Sequence, residues 1–122
     1  MARILVIDDE RLVRRTVRSA LEAAGHEVLE ASNGREALQI QATTRLDLVI
    51  TDLMMPEKDG MEVLLALRRD APGLKVIAMS GGGIYGQIEP LQAAEPLGAV
   101  ASLQKPFTLD ELRQTVERAL AA

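Results

Sequence analysis

Four short stretches of the chain carry side chains whose types could do chemistry together. Asp8 and Asp9 follow one apolar run, and further apolar runs lead to Asp52, Ser80 and Lys105. Carboxylates that are packed together repel one another, and at least one would be protonated unless a cation neutralised them. Mg²⁺ takes oxygen ligands, keeps several of its waters and shares itself with phosphate. The residue types therefore predict a Mg²⁺ site beside a phosphoryl-binding group.

Asp52 is the candidate acceptor of a phosphoryl group. It ends the run Leu48-Val49-Ile50-Thr51, which suits a strand that is buried on both faces. A carboxylate can attack phosphorus to give an aspartyl phosphate. A metal, the amine of Lys105 and the hydroxyl of Ser80 would then hold the phosphoryl oxygens, as phosphoryl transfer requires.

These residues meet only if the strands that carry them are parallel. The apolar runs predict five strands: Ile4–Ile7, Val28–Ala31, the run that ends at Asp52, Leu74–Met79 leading to Ser80, and Gly98–Leu103. The carboxyl ends of parallel strands lie on one edge of the sheet, which is where open α/β sheets bind their ligands.

Helical patterns separate the strands. They cover residues 11–24, about 34–43 with Asn33 as the cap, a segment from Met61 to near Pro72, and a segment that starts near Glu89 and is interrupted by Pro96. A last helix follows Thr108, and Glu111 completes a capping box. The predicted buried stripes are Leu12, Val13, Thr16, Val17, Ala20, Leu21 and Ala24 in the first helix, and Leu109, Leu112, Val116, Ala119 and Leu120 in the last. Five successive strand-helix pairs predict an α/β fold with right-handed crossovers.

Length and composition bound the class of protein. The 122 residues are 48% hydrophobic and 26% charged, which predicts a single domain over residues 1–122. A net charge of -4 argues against nucleic acid as the main ligand. The chain has no cysteine, which excludes disulfides and thiolate metal sites. We find no signal peptide and no run of membrane-spanning length, so we expect a cytoplasmic protein that does not contact a membrane.

Each candidate residue also has a purely structural interpretation. Asp8 and Asp9 could cap the first helix and complement its dipole. Asp52 could form an Asx-turn, Ser80 could be a turn serine and Lys105 a solvated charge. These alternatives do not explain why all of the residues end strands of one sheet. His26 follows a helix-ending glycine, away from that edge, and we interpret it as structural or solvated and not catalytic.

The sequence resembles a receiver domain of the two-component response regulator family over its whole length. The resemblance is carried by Asp8-Asp9, by Asp52-Leu53-Met54-Met55-Pro56-Glu57-Lys58-Asp59-Gly60, by Ser80 after a strand and by Lys105-Pro106-Phe107, in this order and at similar spacing. It implies a flavodoxin-like, doubly wound (βα)5 fold with a five-stranded parallel sheet in the order 2-1-3-4-5 and helices on both faces. It also implies a cis Lys105-Pro106 peptide.

The resemblance further implies roles for the site residues. Asp52 would accept phosphate from a histidine of a sensor kinase or phosphotransfer protein, with Asp9, Asp52 and the backbone carbonyl of Met54 binding Mg²⁺. Asp8 would order metal-bound waters, Lys105 would pair with the phosphoryl group and Ser80 would swing in to bond it. Such a domain is not a conventional enzyme, although it assists its own phosphorylation and dephosphorylation, and it signals to an output protein that the sequence does not name.

The switch and the docking surface are less typical. Ser102 stands where the family usually has an aromatic residue or histidine, so phosphorylation cannot be reported by burying a ring. We expect instead that residues 81–89, which contain Tyr85, order when Ser80 engages the phosphoryl group. The alternative is a loop that is mobile in both states, with output read elsewhere in the domain. For kinase docking the candidates are the basic residues of the first helix together with an aromatic residue after the fifth strand: Arg11, Arg14, Arg15, Arg18 and Phe107. The alternative is that the arginines form a solvated basic face with no partner.

Three other functions fit parts of the pattern. A Mg²⁺-dependent phosphohydrolase would use Asp52 on a true substrate, but it would need a cap or long loops to enclose that substrate. A non-phosphorylated interaction domain would have a decayed site, whereas every expected site position here carries suitable chemistry. A flavodoxin-like FMN carrier would need a hydroxyl-rich phosphate loop where Asp8-Asp9-Glu10 stand.

Overall fold

The computed structural model describes residues 1–53, 60–80 and 99–121. Its strands are β1 (Arg3–Ile7), β2 (Glu27–Ala31), β3 (Leu48–Asp52), β4 (Lys75–Ser80) and β5 (Ala101–Gln104). The helices in these ranges are α1 (Arg11–Ala23), α2 (Gly34–Thr43), α3 (Gly60–Asp70) and α4 (Leu109–Ala121). The five strands form one parallel sheet in the order β2-β1-β3-β4-β5, which confirms the predicted topology.

The sheet separates two apolar layers, because successive strand residues point to opposite faces. One layer joins strand residues such as Ile4, Val6 and Ile50 to Leu21 of α1 and Leu112 of α4. The other layer joins the alternate strand residues Leu5, Ile7 and Val49 to Ala37 of α2 and to Val63, Leu64 and Leu67 of α3. Helices therefore cover both faces of the sheet.

Local sequence signals set the ends of the helices. Gly25 has a φ of 94° and follows α1, where its N–H donates to Glu22 O at 3.0 Å while the His26 N–H donates to Leu21 O at 3.1 Å. This is the Schellman arrangement, which requires a left-handed residue and so favours glycine. At the start of α4, the predicted capping box of Thr108 and Glu111 is present, with its two hydrogen bonds at 3.0 and 2.8 Å. Asn33 caps α2 as predicted.

The predicted buried stripe of α1 is too wide. Leu12 is 78% exposed and Thr16 is also exposed, whereas Val17 and Leu21 are buried. Each helical residue rotates about 100° from the previous one, so Leu12 lies roughly 140° from the centre of the stripe that Val13, Val17 and Leu21 form. Ala24, beyond the end of α1, is exposed too. The prediction was wrong because apolar type alone does not limit the width of a helical face.

Two further predictions need correction. The last helix was predicted to bury Leu109, but this residue is its first and is 50% exposed. The fifth strand was predicted over 98–103, but β5 begins at Ala101 and ends at Gln104. Val100 donates one backbone hydrogen bond to Val76 O at 2.8 Å and is itself half-exposed, so it approaches the sheet edge without joining the ladder.

Some predictions lie outside the described residues. They concern Met54, the helix expected near Glu89, the interruption at Pro96 and the expected ordering of residues 81–89 with Tyr85. Within the described ranges, the longest helices have 13 residues, and none is long and apolar enough to cross a membrane.

Candidate functional site

The carboxyl edge of the sheet brings the predicted site residues together. Asp8 directly follows β1, Asp52 is the last residue of β3 and Ser80 is the last residue of β4. Lys105 follows β5, and its N–H donates to Ser80 O at 2.7 Å. Because β1, β3, β4 and β5 are consecutive neighbours in the sheet, their ends form a continuous row. The parallel order thus converts positions far apart in sequence into one site.

Lys105 connects two carboxylates of this row. Its Nζ donates to Asp8 Oδ2 at 2.7 Å and to Asp52 Oδ2 at 3.3 Å, and it lies 4.0 Å from Glu10 Oε1. Asp8 and Asp52 are both buried, while the Lys105 side chain is 16% exposed. Charges in such a position require partners, since an unpaired buried charge is costly. Lys105 is therefore part of the site and is not the solvated surface charge of the structural alternative.

The protonation of Lys105 follows from the same contacts. Burial alone would lower the pKa of its ammonium group. The hydrogen bond to Asp8 and the negative charges of Asp52 and Asp8 outweigh burial and raise the pKa of Lys105 above its ordinary value of 10.5. The site therefore holds a fixed positive charge throughout the neutral range.

Three carboxylates at this edge are close enough to share a cation. One carboxylate oxygen from each of Asp8, Asp9 and Asp52 lies within 4.8 Å of the other two. Asp8 and Asp52 are buried, whereas Asp9 is exposed to solvent. An all-oxygen donor set that is partly open to water suits Mg²⁺, which retains several waters in protein sites. The side chains present therefore fit the expected ion.

Asp8 combines the site role with the capping role that was its structural alternative. Its Oδ1 accepts the Glu10 N–H at 2.9 Å, while its Oδ2 accepts from Lys105. Glu10 occupies the N-cap position of α1 and makes no side-chain capping bond itself. The Asp8 carboxylate thus satisfies a backbone donor at the helix start and contributes negative charge to the cluster.

The remaining residues of the predicted switch lie near the same edge. Ser80 is buried at the end of β4. Ser102 is half-buried on β5, where it pairs in register with Ala78 of β4.

His26 lies at the opposite edge, and its Nδ1 accepts the Ala2 N–H at 3.1 Å. The structural interpretation of His26 is thus confirmed, since it forms a backbone contact away from the acidic cluster. The Lys105-Pro106 peptide is cis, as expected from the resemblance.

The four arginines of α1 have unequal surroundings. Arg11 and Arg15 are exposed, and Arg18 is partly exposed with ion pairs to Glu22 and Glu30, both at 3.0 Å. Arg14, in contrast, is only 14% exposed and pairs with Glu30 at 3.1 Å. Arg14 is therefore tied into the fold.

Phe107 lies after β5 and is only partly buried. It packs against the core layer between the sheet, α1 and α4. Its ring therefore also serves packing, in addition to any contact that its remaining exposed surface makes.

Sequence reasoning missed two features of this region. The first is the partly buried Arg14–Glu30 contact, for which the only signals were a glutamate inside a strand and an arginine one turn after the acidic stretch. The second is the exposure of Leu12, which had been assigned to the core. A large apolar side chain beside Arg11 and Arg15 gives the exposed face of α1 a mixed apolar and basic character.

Comparisons with known proteins agree with this geometry. The family model described as response regulator receiver domain matches residues 4–117. The chain is 33% identical to sporulation initiation phosphotransferase F of Bacillus subtilis, over 97% of this chain and 93% of that protein. It is 41% identical to regulatory protein AtoC of Escherichia coli, over 97% of this chain but only 25% of AtoC.

The fold comparison is equally close. A response regulator receiver domain protein from Clostridium thermocellum superimposes with a TM-score of 0.88 at 34% identity, covering 99% of this chain and 95% of the other. The match extends over all the strands whose ends form the acidic row. The chain therefore belongs to the response regulator receiver domain family.

Proposed function

We propose that the domain accepts a phosphoryl group on Asp52 from a phosphohistidine of a sensor kinase or phosphotransfer protein, in a Mg²⁺-dependent reaction. The observation that carries the proposal is the position of Asp52. Its carboxylate ends a central strand, contacts the Lys105 ammonium at 3.3 Å and has oxygens of Asp8 and Asp9 within 4.8 Å. The proposed nucleophile Asp52 therefore lies beside the Lys105 cation and beside carboxylates that suit Mg²⁺.

In the proposed step, an Asp52 carboxylate oxygen attacks the phosphorus of the donor. An O–P bond forms while the P–N bond to the donor imidazole breaks. The electron pair of that bond stays with the imidazole nitrogen, which takes up a proton from solvent. The product is an acyl phosphate on Asp52 and a neutral histidine on the donor, so charge and atoms balance.

The residues around Asp52 support this chemistry in different ways. Asp9 and Asp52 would hold Mg²⁺ directly, with the Met54 backbone carbonyl expected from family resemblance and Asp8 acting through water. When bound, Mg²⁺ supplies positive charge that offsets the charge of the phosphoryl oxygens. Lys105 is already ionised and adjacent, so it would pair with the transferred group without first gaining a proton.

Output is proposed to depend on Ser80. Its position at the end of β4, next to the strand that carries Asp52, would let the hydroxyl donate to a phosphoryl oxygen on Asp52. Ser102, on the neighbouring strand β5, would belong to the same switch, although it lacks the aromatic ring or histidine that the family usually has at this position. We propose that the hydrogen bond between Ser80 and the phosphoryl group orders residues 81–89, and that an output protein recognises this change. Equal hydrogen exchange of residues 81–95 with and without beryllofluoride would reject it.

The exposed face of α1 is the proposed docking surface for the kinase or phosphotransfer protein. Arg11, Arg15 and Arg18 carry its positive charge, and the exposed Leu12 adds an apolar side chain beside them; the partly exposed Phe107 stays a candidate for the same surface. Arg14 is a poorer docking candidate than Arg15 and Arg18, because only 14% of its side chain is exposed. Charge reversal at Arg11 and Arg15 should slow transfer from the kinase and leave labelling by acetyl phosphate unchanged. Equal transfer rates would reject the surface.

The named relatives support a signalling role. One is named a phosphotransferase and another a regulatory protein, and this chain spans about a quarter of the length of the second. An output domain or separate partner and a cytoplasmic location are part of the proposal. Incubation with Mg²⁺ and acetyl phosphate, followed by intact mass, tests it. A gain of one phosphoryl group supports the module, turnover without an adduct supports a hydrolase, and no change supports a decayed site.

A further inference from the structure

Arg14 makes two contacts that link the acidic site to the edge of the sheet. Its Nη1 donates to the backbone oxygen of Asp8 at 2.7 Å, and its Nε donates to Glu30 Oε1 at 3.1 Å. The guanidinium is planar, so two contacts at different nitrogens fix both its position and its orientation. Only 14% of the side chain is exposed, which limits the screening of these contacts by solvent.

Glu30 anchors this guanidinium from β2. Its side chain is 15% exposed, and its other oxygen, Oε2, accepts from Arg18 Nη1 at 3.0 Å. Burial alone would raise the pKa of Glu30, but hydrogen bonds from Arg18 and Arg14 outweigh it and lower the pKa below its ordinary value. Glu30 is therefore an anion at neutral pH, and Arg14 is held between this anion and the Asp8 carbonyl.

The Asp8 carbonyl belongs to the peptide plane that joins Asp8 to Asp9. Because that plane is rigid, a hydrogen bond to its oxygen also restrains the Cα of Asp9. The Asp8 N–H donates to Ala31 O at 3.1 Å, and its carboxylate is held by the Glu10 N–H and by Lys105. Arg14 is the side chain that fixes the remaining backbone group of Asp8, at the turn between β1 and α1.

We propose that Arg14 is a positioning residue for the metal site. It holds the Asp8–Asp9 peptide plane in the orientation that brings the carboxylates of Asp8, Asp9 and Asp52 within 4.8 Å of one another. Arg14 contacts the Asp8 backbone oxygen and Glu30. It therefore acts on the carboxylates of Asp8, Asp9 and Asp52 through the backbone. The inference rests on the proposed function in that these carboxylates form the Mg²⁺ site.

A purely structural role, in which Arg14 only ties α1 to β2, makes a different prediction. Arg18 also ties α1 to β2 through Glu30, but it makes no contact with Asp8. Arg18→Ala is therefore the matched control, because it removes an α1–β2 ion pair and leaves the Asp8 carbonyl bonded. Arg14→Lys keeps the charge but cannot reproduce two directed contacts from one planar group. Arg14→Lys is therefore the test variant, and it is used in place of Arg14→Ala so that the test does not depend on the folding of the alanine variant.

The test measures Mg²⁺ affinity by calorimetry and the free energy of unfolding by urea titration. Both are measured on the unmodified chain, on Arg14→Lys and on Arg18→Ala. We expect Arg14→Lys to weaken Mg²⁺ binding by about tenfold, as loss of a contact that orients a ligand typically does. Arg18→Ala should bind Mg²⁺ within about twofold of the unmodified chain, with a loss of stability similar to that of Arg14→Lys. In Mg²⁺-free protein, the amide of Glu10, which donates to Asp8 Oδ1, should exchange faster in Arg14→Lys and not in Arg18→Ala.

Unchanged Mg²⁺ affinity in Arg14→Lys, or an equal weakening in Arg18→Ala, would overturn the inference. An unmodified chain that bound no Mg²⁺ would reject the proposed function, and with it the metal role of Arg14. Normal Mg²⁺ binding by the unmodified chain with normal binding by Arg14→Lys would reject only the positioning role. The two failures are therefore distinguishable in one set of titrations.

Discussion

Lys105 Nζ lies 3.3 Å from Asp52 Oδ2, although the two residues are 53 positions apart in the sequence. The contact exists because β3 and β5 flank β4 in one parallel sheet, so that both residues reach the same edge. It places a permanent positive charge next to the proposed phosphoryl acceptor. Most of the expected behaviour of the domain follows from the charges gathered around this pair.

The first prediction concerns the loss of that positive charge. Lys105→Ala leaves the buried carboxylates of Asp8 and Asp52 without their cation, and removal of one partner of a buried pair typically costs about 3 kcal/mol. We expect a decrease of this size in the free energy of unfolding, measured by urea titration in a chelator. Added Mg²⁺ should recover part of it, because the ion neutralises the same carboxylates.

The exposed pair of Arg69 and Asp70 provides a control for Lys105→Ala. Arg69→Ala also removes one cation from an ion pair, but on the surface, where such pairs contribute little. We expect nearly unchanged stability and no dependence of the difference on Mg²⁺. Equal losses in the two variants would show that the Lys105 charge is not needed in the folded site.

The second prediction concerns the dependence of stability on pH. The folded-state pKa of Glu30 lies below its ordinary value of 4.5, so its stabilising contribution is fully present above that value. It is lost as the pH falls through the lower, folded-state pKa, because the unfolded chain takes up a proton first. Urea midpoints measured from neutral to acidic pH should therefore fall less steeply for Glu30→Gln than for the unmodified chain. Parallel curves would contradict the ion pairing of Glu30 with Arg14 and Arg18.

The third prediction uses two glycines to isolate backbone strain. A Cβ at either Gly25 or Gly73 would meet no atom within 4 Å, but only Gly25 has a positive φ, of 94°. Gly25→Ala should destabilise the fold by about 1–2 kcal/mol, the usual cost of a left-handed alanine. Gly73→Ala should be neutral or slightly stabilising, because it restricts the unfolded chain. A matched loss in both variants would contradict the Schellman ending of α1.

The fourth prediction concerns the metal ligands. Asp9 is exposed at the acidic cluster, whereas both carboxylate oxygens of Asp8 already accept hydrogen bonds from Glu10 and Lys105. In calorimetric titrations, Asp9→Ala should therefore weaken Mg²⁺ binding by about tenfold or more relative to the unmodified chain. Asp8→Ala should weaken it less. Glu117→Ala, an exposed change on α4, should leave the affinity as it is. Unchanged affinity in Asp9→Ala would remove Asp9 from the ligand set.

The sequence predicted the residues at the strand ends because they are marked by a change of pattern. Asp52 and Lys105 each follow a run of apolar residues, and the alternation of strands with helices requires parallel neighbours. The pattern alone therefore predicts the row of site residues without any knowledge of side-chain contacts, whereas the strand order was predicted from the family resemblance. The cap at Thr108 was predictable for a similar reason, because both of its hydrogen bonds are local in sequence.

Other features depend on geometry that the pattern does not contain. The contact between Arg14 and Glu30 joins a helix to a strand 16 positions away, and its formation depends on the rotation of α1 over the sheet. The same rotation leaves Leu12 exposed, although its apolar side chain suits a buried position equally well. Side-chain type constrains which face of a helix is buried, but only packing fixes where that face ends.

The central claim is that Asp52 is the single phosphoryl acceptor. The most direct test is to treat the chain with acetyl phosphate and Mg²⁺, to reduce any acyl phosphate with borohydride and to map the modified peptide by mass spectrometry. We predict one modified site, at Asp52, and no modification in Asp52→Asn. Modification at Asp8 or Asp9 instead, or an unchanged yield in Asp52→Asn, would contradict it.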